Sequence, residues 1–173
     1  MSRPLVIACG ALVSELRAVL AANGLTDAIE ARYLPANLHN RPERIVPALV
    51  ETLEPVLAAD PERDVLVGYA DCGTGGQLDA LLHRLAEQHP NVRRLPGSHC
   101  YEFFTGSEFA AVAEQELGTF FLTDYLAKHF EPLIWQAYKL HEHPELLSMM
   151  FGNYTRVLLL TQSTDPAVVD AGR

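Results

Sequence analysis

Apolar positions follow two rhythms along the chain, short runs and stripes at helical spacing, and the two alternate. Leu5 to Ala8 is a short apolar run ending at Cys9 and Gly10; Leu12, Leu16, Val19 and Leu20 then recur on a helical face until Asn23 and Gly24 stop it. A weaker strand over Ala31 to Leu34 enters the polar loop Asn37 to Arg41, where Asn40 can cap a helix with Pro42 in its first turn. Pro47 and Pro55 predict that the helix over Glu43 to Ala59 is bent or divided, because an interior proline removes a hydrogen bond. Val65 to Tyr69 reads as the clearest strand, and it feeds the stripe Leu78, Leu81, Leu82 and Leu85 through the turn Asp71 to Gly76. A shorter strand near Val92 to Leu95 runs into Pro96, Gly97 and His99, and a helix is expected from about Ser107 to Leu117.

The rhythm changes over Thr119 to Met150, a long segment rich in Leu and aromatics that reads as helical throughout, with Pro132 and Pro144 at helix starts. Arg156 to Thr161 returns to an apolar strand, and Thr164 or Asp165 can cap a last helix over Ala167 to Ala171. Strand and helix in alternation predict crossover units. The expected fold is therefore α/β, a three-layer sandwich with a mainly parallel sheet of about five strands and a helical insertion at 119–150.

Length and composition narrow this reading. A chain of 173 residues, 49% of them hydrophobic, fits a single domain spanning 1–173. With 22 Asp plus Glu against 13 Lys plus Arg and no basic run, nucleic acid is not an expected partner. No apolar run approaches the roughly 20 residues of a membrane span, and the N-terminus lacks the apolar core of a secretory signal, so no membrane is expected and the chain reads as cytoplasmic. Three cysteines at wide spacing do not make a disulfide framework, so reduced thiols are expected.

Those three cysteines carry the candidate chemistry. Cys9, Cys72 and Cys100 each stand where an expected strand ends, and in an open parallel sheet such ends line one edge, where ligands bind. Three thiolates with His39 or His99 as a fourth ligand would suit zinc or another divalent metal. Against this, the spacing contains no CxxC pair, and free cysteine is among the most buried residue types, so packing alone is the competing explanation. The turn Asp71-Cys72-Gly73-Thr74-Gly75-Gly76 can aim backbone N–H groups at an anion and lower the pKa of Cys72, although it matches neither dinucleotide nor phosphate-loop motifs. As a plain connector the same turn would use glycine for positive φ.

The segment Pro96 to Phe104 gathers an acid, a base, a thiol and aromatics: Glu102 or Asp71 would serve as general acid or base and His99 as base or metal partner. Asn40, Arg41, Gly73, Thr74, Gly75, Gly76 and Tyr101 are candidates for holding a cofactor or small-molecule ligand; Arg41 could equally pair with Glu43. His141-Glu142-His143 reads as an exposed helix end rather than a ligand set, since alternate helical residues do not share a face. Three functions follow: a zinc-type metal site, a non-catalytic module that binds a small anion or docks on a partner, and a metal-free cysteine nucleophile with Cys72 attacking.

Taken in order, IACGALVSEL, LHNRPE, YADCGTGG and PGSHCYEFFTG resemble the signature blocks of a prokaryotic family catalogued as domain of unknown function 1638. The resemblance singles out Cys9, His39, Asn40, Arg41, Glu43, Asp71, Cys72, Gly73, His99, Cys100, Tyr101 and Glu102. It implies a one-carbon setting, beside corrinoid-dependent methyltransferases, with corrinoid or folate association and a corrinoid or methyltransferase protein as partner. It also implies a chain that continues past the last strand, so that the covering helix is truncated at Arg173.

Overall fold

A computed structural model describes residues 2–106, 108–115, 118–163, 166 and 170. The chain divides into two compact units, Met1–Cys100 and Tyr101–Arg173.

The first unit is built on four short strands, β1 (Leu5–Cys9), β2 (Glu30–Leu34), β3 (Val65–Gly68) and β4 (Val92–Arg94), in the order β2-β1-β3-β4. All three pairings are parallel. Between them run α1 (Val13–Ala22), α2 (Ile45–Ala59) and α3 (Gln77–Leu85). The order places β2 on one side of β1 and β3 on the other, so chain direction across the sheet reverses at β1. A crevice opens at such a reversal, outside the carboxyl ends of the two central strands.

Side chains alternate between faces along a strand, so Leu5, Ile7 and Cys9 share one face, as do Val65 and Val67. These pack with Ile45, Leu49, Leu53, Val56 and Leu57 of α2 and Leu78 and Leu81 of α3. Each of the larger aliphatic side chains contributes roughly 1.5–3 kcal/mol by leaving water. On the other face the backbones close up: a Cβ on Gly68 would lie 2.9 Å from the Cβ of Ala8.

Two prolines were expected to bend or divide α2, and it is not divided, running from Ile45 to Ala59. Pro47 falls in the first turn, where an amide has no helical acceptor, and the buried stripe holds the rest of the helix across Pro55. Two short 3-10 segments, Ala36–Asn40 and Pro42–Arg44, occupy the expected polar loop.

The second unit contains α4 (Glu102–Thr105), α5 (Glu108–Gln115), β5 (Thr119–Thr123), α6 (Asp124–Lys128), a π-helical turn at Glu131–Trp135, α7 (Leu146–Phe151) and β6 (Arg156–Leu160). Its two strands pair in parallel, Thr119 opposite Arg156 and Thr123 opposite Leu160. Leu122, Leu126, Ala127, Leu133, Ile134 and Leu140 form its core. The segment from Thr119 is therefore not helical throughout: it opens with β5, a strand the hydrophobic pattern did not separate from the helix that follows. Thr123 ends the strand and caps α6, its hydroxyl accepting from the Leu126 amide at 3.3 Å. The expected helix over Ser107 to Leu117 is α5, with Ser107, Glu116 and Leu117 outside the described residues. Of the expected last helix, Pro166 and Asp170 are described and helical; Thr164, Asp165 and the other residues lie outside.

The mainly parallel α/β reading holds, with the strands divided between a four-stranded and a two-stranded sheet.

Candidate functional site

Ile7 pairs with Val67 across β1 and β3, so the inward series Leu5-Ile7-Cys9 and Val65-Val67-Tyr69 arrive side by side at the carboxyl edge. Tyr69 is 2% exposed and its hydroxyl meets no full hydrogen-bond partner. The Cys9 sulfur lies close enough to that hydroxyl for each to perturb the other's ionisation, short of the geometry of a full hydrogen bond. Cys9 also accepts from the Ala11 amide at 3.5 Å, where the chain turns off the strand. Gly10 allows that turn: a Cβ there would meet the Leu34 carbonyl oxygen at 2.8 Å.

Beyond β3 the chain makes the expected glycine-rich turn, but its donors close on the protein itself. Asp71 Oδ1 accepts from Thr74 Oγ1 at 2.7 Å and from the Gly76 amide at 2.8 Å, and Oδ2 accepts from the Gly75 amide at 3.1 Å. The Asp71 carboxylate thus fills the seat expected for an external anion at Thr74, Gly75 and Gly76, ahead of α3. Those hydrogen bonds, the Gly76 amide foremost, hold the Asp71 pKa below its ordinary value. A carboxylate so engaged is a building element of the turn more than a proton donor or acceptor. Cys72 takes a φ of 49°, left-handed backbone that an L side chain rarely adopts, and Gly73 follows at 80°. Gly73 packs against the Pro42 ring, which a Cβ would meet at 3.2 Å.

The third cysteine arrives on the loop after β4. Leu95 donates to the Val67 carbonyl at 3.0 Å, Asp71 donates to Gly97 at 2.9 Å, and Cys72 donates to Ser98 at 3.0 Å. Arg94 fastens the same loop from below: its guanidinium grips Asp79 of α3 at 2.5 and 2.9 Å and donates to the Leu95 carbonyl at 2.7 Å. Cys72 and Cys100 are thereby brought close enough for each thiol to perturb the other's ionisation, with Cys9 near enough to interact electrostatically with both.

Protonation follows from this proximity. The hydrogen bond from Cys100 lowers the Cys72 pKa, outweighing burial. Cys100 moves the opposite way, raised well above the ordinary thiol value because its proton is held on Cys72, with burial adding to the effect. Burial raises Cys9, and burial raises Tyr69 well above the ordinary phenol value. The arrangement favours ionisation at Cys72 over Cys9, Cys100 and Tyr69.

The predicted residues divide as follows. Cys9, Cys72 and Cys100 come together, and Asp71, Gly73, Thr74, Gly75 and Gly76 form the adjoining turn. His39 and Asn40 lie on the 3-10 segment at Ala36–Asn40, and Arg41 follows it. His39 is exposed, and the partial desolvation of its ring lowers its pKa and favours the neutral imidazole. His99 is exposed on the loop before Cys100. Tyr101 and Glu102 belong to the second unit, where the Tyr101 ring stacks 5.7 Å from Phe109 and 5.6 Å from Phe121 and its hydroxyl donates to the Phe121 carbonyl at 3.3 Å. His141 and His143 are exposed beside Glu142 and Glu145, as expected of a surface cluster.

Among the described residues, no three His, Cys, Asp or Glu side chains stand as a ready metal shell. The thiols suit a soft metal in kind, but Cys9, Cys72, Cys100 and His39 would have to turn their side chains to share one. Tyr69 is the site residue sequence reasoning missed, although its signal was present: it stands two positions beyond Val67, on the face that Cys9 shares.

Fold and site together define an α/β protein with a thiol cluster at the switch point of a parallel sheet. Its family model matches residues 33–171, and the chain belongs to the family described as Protein of unknown function (DUF1638). No curated protein and no solved structure matches it. Among the described residues no helix is long and apolar enough to cross a membrane.

Proposed function

We propose that the chain carries a cysteine-nucleophile centre, in which the Cys72 thiolate accepts a small electrophilic group while Cys100 holds the balancing proton. One observation carries this reading: the Cys72 amide donates to the Ser98 carbonyl at 3.0 Å, which sets Cys72 beside the loop ending at Cys100, where hydrogen bonding to Cys100 lowers the Cys72 pKa. A thiolate is the reactive state of cysteine, and a neighbouring thiol stabilises it without neutralising it. The one-carbon setting implied by the family resemblance gives the centre its proposed context, with a corrinoid or methyltransferase protein as partner. Limited alkylation with iodoacetamide near neutral pH, followed by peptide mapping, should modify Cys72 first. First reaction at Cys9 or Cys100 overturns the assignment.

A second reading, a zinc-type metal site on Cys9, Cys72 and Cys100 with His39, is favoured by the convergence of three sulfurs on one strand edge. It predicts stoichiometric metal in protein purified anaerobically, lost on replacing any of the three by serine. The anion-binding reading has less support, because Asp71 already takes the Gly75 and Gly76 amides.

A further inference from the structure

Two loops meet at Cys72 and Cys100 in a way that fixes their partnership. Successive amides of one loop, Asp71 and Cys72, donate to successive carbonyls of the other, Gly97 and Ser98. This ladder sets residue 72 alongside the segment that ends at Cys100, with the two thiols near enough to perturb each other's ionisation. Below it, Arg94 ties the second loop to Asp79 of α3, so the partnership is held from both sides. All three cysteines are free thiols, Cys72 and Cys100 partly exposed and Cys9 buried at the end of β1. Cys9 is placed differently in another respect, since its sulfur is turned toward the Ala11 amide and Tyr69.

From this geometry we propose that Cys72 and Cys100 form a thiol–disulfide exchange site for low-molecular-weight disulfides of the glutathione class, closing to an intramolecular disulfide while Cys9 stays reduced. The thiolate of one cysteine attacks a sulfur of the small disulfide, forming a mixed disulfide and expelling one thiolate, which takes a proton from water. The second cysteine releases its proton to water and attacks the protein sulfur of that mixed disulfide, expelling the second small thiolate, which is protonated in turn. The protein dithiol loses two electrons and two protons, and the small disulfide gains both as two thiols. Because the ladder between the loops holds the second cysteine beside the first, the second step outruns release of the adduct.

The inference goes beyond the nucleophile reading, and either can fail alone: iodoacetamide reports the reactivity of one sulfur, whereas exchange reports closure of a pair. The test treats the reduced full chain with oxidised glutathione under anaerobic conditions, quenches with acid, and reads thiol count and non-reducing peptide maps. Thiols should fall from three to one, with a linked peptide joining Cys72 to Cys100, reversed by dithiothreitol. Cys9→Ser should give the same link. Cys72→Ser and Cys100→Ser should each stop at a glutathione adduct on the remaining partner. A link that includes Cys9, a persistent adduct on the wild-type chain, or three unchanged thiols would overturn the proposal. The wild-type peptide map decides the outcome by itself, so a variant that folds poorly leaves the test intact.

Discussion

Cys72 and Cys100 act as one titrating unit, because removing the first proton leaves a charge that the second thiol stabilises and that opposes a second ionisation. Replacing Cys100 by alanine removes the donor, so the pH midpoint of Cys72 alkylation should rise toward the ~8.5 of free cysteine. Tyr69 tests the neighbouring contact. Its hydroxyl is buried without a full partner, so Tyr69→Phe should leave stability unchanged or raise it by up to about 1 kcal/mol in urea unfolding. The same change should make Cys9 harder to ionise, since Tyr69 is one of the groups that lower its pKa. Backbone strain at Cys72 gives a third test. In helices and strands glycine is ordinarily less stable than alanine, but at a φ of 49° the order should reverse, with Cys72→Gly more stable than Cys72→Ala by about 1 kcal/mol in urea unfolding.

The turn between β3 and α3 depends on one carboxylate. Asp71→Ala strips acceptors from Thr74, Gly75 and Gly76 and should cost about 2 kcal/mol by chemical denaturation, because bonds to a charged group exceed the neutral kind. The folded pKa of Asp71 is depressed, so its contribution is fully present above the unfolded value near 3.9 and is lost as pH falls through the folded one; the variant should show a flatter acid limb. At this scale the sequence was most legible. β1, β3, β4 and the stripes of α1 and α3 follow from apolar periodicity, and the strand-end position of the cysteines follows from the crossover rule. β5 was hidden because Phe120, Phe121 and Leu122 form an apolar run too short for its period to tell strand from helix. The filling of the turn by Asp71 was hidden because periodicity says nothing about where a side chain bends. Tyr101 read as a pocket aromatic because it adjoins Cys100 in the chain, whereas its ring is committed to Phe109 and Phe121.

For the molecule as a whole, alkaline pH should be the vulnerable side. Burial raises Cys9 and Tyr69, and Cys100 is raised by its bond to Cys72 and by burial, so the folded chain keeps protons that the unfolded chain releases above roughly pH 8.5. Native protein then binds more protons than unfolded protein, and unfolding free energy falls as pH rises. Urea midpoints between pH 8 and 10 should decline, less steeply in Cys9→Ala. The sheet order bears on the making of the protein as well. Cys9 leaves the ribosome ahead of Cys72 and Cys100, and β3 and the loop ending at Cys100 must follow before its neighbours exist. At about 5–20 residues per second, the first thiol spends several seconds of every synthesis without its companions. The strand that leads the fold therefore carries its sulfur unsheltered longest, and whatever guards the nascent chain from oxidants guards this site before it has formed.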